Sequence, residues 1–140
     1  MESNRWVKQV GEFQRSFEHP FIPTSDGDWA KLLRLRLDLV HEEHSEFLNG
    51  MEHIVRAMQD GDDAALEAAK VETLDAITDS IYVLIGTANA LGWDLTGAFE
   101  EVHRSNMSKL GVDGLPIYNA AGKVMKGPGF RAPRLEAFVK

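Results

Sequence analysis

The chain has no cysteine, which excludes disulfide scaffolds, thiol nucleophiles and cysteine-ligated zinc. It is short of positive charge: 15 Lys and Arg stand against 22 Asp and Glu, a formal net charge of −7. With a sequence pI near 5.2, that argues against a general nucleic-acid binder, whose affinity comes from clustered Lys and Arg on phosphates. There is no long hydrophobic run. The most apolar stretch, Ile81 to Leu91, is interrupted by Gly86, Thr87 and Asn89 and is too short to span a bilayer. The opening Met1-Glu2-Ser3-Asn4-Arg5-Trp6 lacks the apolar region of a signal peptide, so a cytoplasmic address is expected. No internal repeat, low-complexity segment or phosphate-binding Gly-rich loop ending in Lys-Ser/Thr occurs. What remains is 140 residues, 44% of them hydrophobic, enough for the core of one domain over 1–140.

Helical periodicity dominates the first 110 residues. Trp6, Val10, Phe13 and Phe17 recur at intervals of four, three and four, one stripe of a helix over 3–17 that Pro20 and Pro23 end. The loop Thr24-Ser25-Asp26-Gly27-Asp28 supplies an N-cap for a long helix, about 28–58. Asp62 or Asp63 caps a third, about 63–91, with Gly92 in the left-handed position beyond its end. Asp94 caps a fourth, about 95–110, with Phe99, Val102, Asn106 and Leu110 along one stripe. Beyond it the texture changes: Gly111, Gly114, Gly122, Gly127 and Gly129 alternate with Pro116, Pro128 and Pro133. Ile117-Tyr118 and Lys123-Val124-Met125 flank Asn119-Ala120-Ala121-Gly122, a modest hairpin signal. The expected fold is all-α: a bundle of four to five helices over about 1–110 with a loop or small hairpin at 111–140.

The informative feature is where the acids fall. At about 100° per residue, Glu42, Glu46 and Glu43 sit at roughly 0°, 40° and 100°, and Leu35, Leu39 and Leu32 at roughly 20°, 60° and 80°. Three carboxylates therefore continue an apolar stripe. On the next helix Glu72 and Asp75 lie within about 40° of Asp79, as do Val83, Gly86 and Ala90. Burying like charges together is costly unless something compensates them. Hard divalent ions such as Mg²⁺ or Mn²⁺ take oxygen ligands of this kind. On the fourth helix Asn106 falls on the apolar stripe, where a buried amide needs partners, and Lys109 beside it offers a cation to a phosphate. His103 read alone is a core histidine, and Trp29, Trp93 and Tyr82 are core or interface aromatics.

Glu42-Glu43-x-x-Glu46 followed by Asp75-x-x-x-Asp79-Ser80-Ile81-Tyr82-Val83-Leu84-Ile85-Gly86 resembles the all-α NTP pyrophosphohydrolase superfamily, most closely its MazG-like and phosphoribosyl-ATP-pyrophosphohydrolase-like branch. Glu101-Val102-His103-Arg104-Ser105-Asn106-Met107-Ser108-Lys109-Leu110-Gly111 is similar to that branch's post-catalytic helix, and Gly122-Lys123-Val124-Met125-Lys126-Gly127-Pro128 to its C-terminal loop. The resemblance runs from about Leu32 to Leu135. It implies a MazG-like bundle that hydrolyses a nucleoside triphosphate between its α- and β-phosphates with Mg²⁺ or Mn²⁺. Carried over, Glu43, Glu46 and Asp79 are metal ligands, and Glu42 holds a further ion or orients the attacking water. Asn106, Lys109, Lys123 and Lys126 would hold phosphates. The usual second motif is Glu-x-x-Asp, and this chain has Ala76 at the Glu position; Asp75 is the first candidate to replace it and Glu72 the second. The resemblance also implies a homo-oligomer, a tetramer or dimer.

Two other readings compete. A ferritin-like di-iron protein would use Glu100-x-x-His103 and Asp38-x-x-His41, leaving the stripe carboxylates unexplained. A non-catalytic helical interaction module would offer the acids to a basic partner. The base is unreadable from the chain: dUTP or dCTP and dGTP or GTP stay open, with a lean to guanine that no residue supports.

Overall fold

A computed structural model of the protein describes residues 3–22 and 28–140. Its helices are α1 (Ser3–Ser16), α2 (Trp29–Asp60), α3 (Asp63–Ala90) and α4 (Leu95–Met107), with a 3-10 turn at Glu136–Phe138. No strand forms among the described residues. One antiparallel bridge, Tyr118 to Val124, marks the small hairpin. The protein is all-α, as its periodicity requires. Its contacts divide into two compact units, Met1–Leu91 and Gly92–Lys140. The first holds eight Lys and Arg against seventeen Asp and Glu, a balance of −9; the second holds seven against five, a balance of +2.

The three expected caps are in place. Asp28 accepts from the Lys31 N–H, Asp62 from Ala65 and Asp94 from Gly97, each satisfying a helix-start donor that has no partner within the helix. Thr24, Ser25, Asp26 and Gly27 lie outside the described residues. Gly61 closes α2 at φ 65°, and its N–H donates to the carbonyls of Ala57 and Met58. That left-handed turn sends α3 back along α2.

The α2–α3 pair is held close by small residues. Leu32, Arg36, Gly50 and Ala57 are buried on α2, and Ala69, Thr73, Ala76, Gly86 and Ala90 on α3. A Cβ on Gly50 would meet Thr73 Oγ1 at 2.5 Å and Thr73 Cα at 3.1 Å. Further along, the buried Arg36 guanidinium packs against Gly86, where a Cβ would come 2.6 Å from Nη2. Arg36 donates to the Val83 carbonyl (2.8 Å) and to Thr87 Oγ1 (3.2 Å), which compensates part of its desolvation. The buried line of α2 therefore runs through Leu32, Arg36, Glu43 and Gly50, and Leu35 stands outside it.

On α1 the buried residues are Val10, Gly11 and Gln14, while Trp6, Phe13 and Phe17 stay more than a third exposed. This corrects the expected stripe by about one position. The polar contacts decide it: Gln14 Nε2 donates to the Gly86 carbonyl (2.8 Å) and Asn89 Nδ2 to the Val7 carbonyl (3.2 Å). In the second unit α4 stops at Met107, three residues short of the expected end. Its buried residue is Ser105, whose hydroxyl donates to the Arg131 carbonyl (2.8 Å); Phe99 and Val102 are exposed, as is Asn106, expected to be a buried amide. Lys109 thus belongs to the turn after the helix. Trp29 and Trp93 are about half exposed.

Candidate active site

The contacts of Gly50 with Thr73 and of Arg36 with Gly86 set the antiparallel register. Counting along both helices from them puts Glu43 opposite Asp79, and Glu46 at the level of Ala76 and Ile77, next to Asp75. Glu43 and Asp79 are half-buried in the seam between the helices, whereas Glu42, Glu46 and Asp75 flank it in solvent. Only Glu43 of the three α2 acids therefore continues the buried line.

Glu43 Oε2 is buried and has no hydrogen-bond partner. Its carboxyl is pushed above the usual range first by burial, then by the charges of Asp79, Glu46, Glu42 and Asp75. No basic side chain is among those influences. The five acids singled out for metal binding are thus one electrostatic cluster, spread over two helices, with an unsatisfied buried oxygen at its centre. An all-oxygen, strongly anionic donor set of this sort suits Mg²⁺ or Mn²⁺. The carboxylates stand apart as like charges do, and among the described residues no three Asp, Glu or His side chains converge closely enough to enclose an ion.

Glu72 is not part of the cluster: its Oε2 meets His53 Nδ1 at 3.0 Å, and it is absent from the charges acting on Glu43. Ala76 is buried on the α2 side of α3, in the line that holds Thr73. Glu72 and His53 instead border a cavity of about 300 Å³ with Arg56, Asp60 and Asp62, at the α2–α3 turn. Its nearest walls, Glu72 and His53, are about two and three helical turns from Asp79 and Glu43 along their helices.

The second unit gathers three of the four expected phosphate-holding residues. Lys109 Nζ donates to Asn106 Oδ1 (2.8 Å), and the Gly127 N–H donates to the Lys109 carbonyl (2.8 Å). A Cβ on Gly127 would collide with the Leu110 carbonyl, so the chain passes here with no side chain. Lys126, the preceding residue, rests its ammonium 4.7 Å from the Phe130 ring centroid. Lys123 stands apart on the hairpin turn, its N–H donating to Asn119 Oδ1. Glu101, which sequence reasoning left without a role, fastens the tail to α4. It accepts from Arg104 Nη2 (2.7 Å), Arg104 Nε (2.8 Å) and the Arg134 N–H (2.9 Å), bonds that hold its carboxyl down to about 2. Of the di-iron pairs, His103 and Glu100 lie on α4 in the second unit and Asp38 and His41 on α2 in the first; all four are exposed.

The chain is one of the MazG-like all-α NTP pyrophosphohydrolases, and its paired acids lie within the matched residues. Within them the chain belongs to the phosphoribosyl-ATP pyrophosphohydrolase family, whose profile matches residues 10–106. It is therefore a nucleotide pyrophosphohydrolase. No curated protein matches it. Among the described residues no helix is long and apolar enough to cross a membrane.

Proposed function

We propose that the protein hydrolyses a nucleoside triphosphate, ribo or deoxy, to its monophosphate and pyrophosphate, and that it serves control of the nucleotide pool. The observation that carries this is the partnerless buried oxygen of Glu43 amid four further carboxylates. Glu43, Glu46 and Asp79 would hold Mg²⁺ or Mn²⁺, joined by Asp75, and Glu42 would hold a further ion or orient the water. When bound, such ions neutralise phosphate charge and raise the nucleophilicity of water. Hydrolysis then needs no covalent intermediate: a water oxygen bonds to phosphorus, its proton passes to a carboxylate, and the anhydride oxygen leaves with pyrophosphate. Asn106, Lys109, Lys123 and Lys126 are the side chains assigned to phosphate.

A homo-oligomer, dimer or tetramer, belongs to the same reading. Leu37, Leu48, Val55 and Met58 on α2, and Leu74, Ile77 and Leu84 on α3, form apolar stripes beside the buried line, all at least 39% exposed in the single chain. Contiguous apolar surface of that kind marks an interface. A phosphoribosyl-ATP substrate is the second reading. It is favoured by the family match and involves the same anhydride. The deciding experiment sets canonical and deoxy triphosphates beside phosphoribosyl-ATP with Mg²⁺ or Mn²⁺ and scores pyrophosphate against phosphate. Pyrophosphate release that EDTA abolishes is expected. Undiminished release in excess EDTA, or no turnover of any nucleotide, overturns the reading and leaves the interaction module.

A further inference from the structure

Between α1 and α3 lies a cavity of about 260 Å³, lined by Trp6, Gln9, Thr78, Ile81, Tyr82 and Ile85 among others. Its walls are mostly aromatic and aliphatic; the polar groups among the lining residues are the Gln9 amide, the Tyr82 hydroxyl and the Thr78 hydroxyl, which donates to the Leu74 carbonyl (2.8 Å) and is left to accept. That composition is typical of a small-molecule site. Tyr82 is held in place by an edge-on contact with Phe13, ring centroids 5.6 Å apart. Trp6 is 58% exposed, so part of its indole is open to solvent.

The position of the cavity relative to the carboxylates follows from helix geometry. Measured around α3 from Asp79, the α2-facing Val83 and Ala76 lie at roughly +40° and +60°. Asp75, Tyr82 and Thr78 lie on the other side, at roughly −40°, −60° and −100°. Asp75 and Asp79 thus occupy the border between the side of α3 that packs on α2 and the side that walls the cavity. Tyr82 follows Asp79 by less than one turn, and Thr78 precedes it directly. A nucleotide with its phosphates at these carboxylates reaches the cavity with its base along one side of α3, without crossing another helix of this unit.

We propose that the α1–α3 cavity seats the nucleobase, with Trp6 as its stacking surface and Gln9 and Thr78 meeting the polar edge of the base. This rests on the nucleotide chemistry proposed above. Stacking on an aromatic face depends on the π-system that every base has, and the Gln9 amide offers both donor and acceptor for discrimination among bases.

The test separates this inference from the function beneath it. In a Trp29→Phe, Trp93→Phe background Trp6 is the sole tryptophan. Titration with guanosine, adenosine, cytidine or uridine, without phosphates and in EDTA, should quench its emission saturably for at least one nucleoside. In turnover, Trp6→Ala should raise KM about five- to 150-fold, the stacking contribution expressed as a ratio, with kcat within about twofold. The Mg²⁺ needed for half-maximal rate should not change, and Trp6→Phe should recover most of the loss. Gln9→Ala should alter the preference among bases, a readout that a merely structural role would not move. Turnover with KM within twofold of wild type in Trp6→Ala overturns the base seat while the pyrophosphohydrolase stands. Quenching that follows protein concentration instead of nucleoside overturns it in favour of a second copy covering the cavity. Saturable quenching with no hydrolysis of any nucleotide supports the seat and overturns the function.

Discussion

Glu43 is placed where a residue of the core would be, half-buried on the line of Leu32 and Gly50, and it brings a charge there with nothing basic to answer it. Without a cation that charge opposes folding. Its folded pKa is raised, so this group costs nothing at low pH, and its contribution to stability falls as pH rises from the ordinary carboxylate range through the raised value. Glu43→Gln should therefore melt higher than wild type in EDTA, while hydrolysis falls roughly a hundredfold or more, the several kcal/mol of charge stabilisation that a bound metal contributes. A lower melting temperature together with a normal rate would show Glu43 to be ordinary core. The position left by Ala76 has a similar test. Asp75 acts on Glu43 and Glu72 is paired with His53, so Asp75→Asn should raise the Mg²⁺ needed for half-maximal rate and Glu72→Gln should not. The reverse result in a metal titration moves the ligand to Glu72.

At the scale of elements, the α2–α3 seam depends on residues that lack bulk. Gly50→Ala would press a methyl into Thr73, and overpacking of this kind costs about 1–3 kcal/mol, read as a lowered midpoint in chemical denaturation. A midpoint equal to wild type would mean that the helices part there without cost. The α4 unit is fastened by charge instead. Glu101 has its pKa depressed to about 2 by Arg104 and the Arg134 N–H, so its hold on the tail is complete above the ordinary carboxylate range near 4.5 and is lost as pH falls toward 2. Protection of the Arg134 amide, taken against its intrinsic exchange rate at each pH, should fall across that window, and Glu101→Gln should lack that protection at neutral pH. Protection independent of pH in both proteins would assign the fastening to Ser105 and Ser108.

The whole molecule leaves apolar stripes of α2 and α3 uncovered, and light scattering should return a dimer or tetramer, not a 15.6 kDa monomer. A monomer at working concentration would mean that those stripes face something other than a second copy. The helices, their three caps and the left-handed Gly92 beyond α3 were legible in the chain, because capping and periodicity are local interactions between residues a few positions apart. The family was legible too, from the order of its acidic motifs. Other placements were not. Trp6, Phe13 and Phe17 fulfil a helical stripe and yet stand largely outside, because Gln14 and Asn89 bond across to another helix and turn α1 by about one position. Glu42, Glu43 and Glu46 look equivalent as a motif. Only the contacts of Gly50 with Thr73 and of Arg36 with Gly86 put Glu43 in the seam and the other two beside it. The sequence by itself determined the elements and the kind of chemistry, since both reside in residue types at short spacing. The tertiary structure decided which carboxylate is buried and which aromatics line a cavity, since both depend on partners on other helices, far away along the chain.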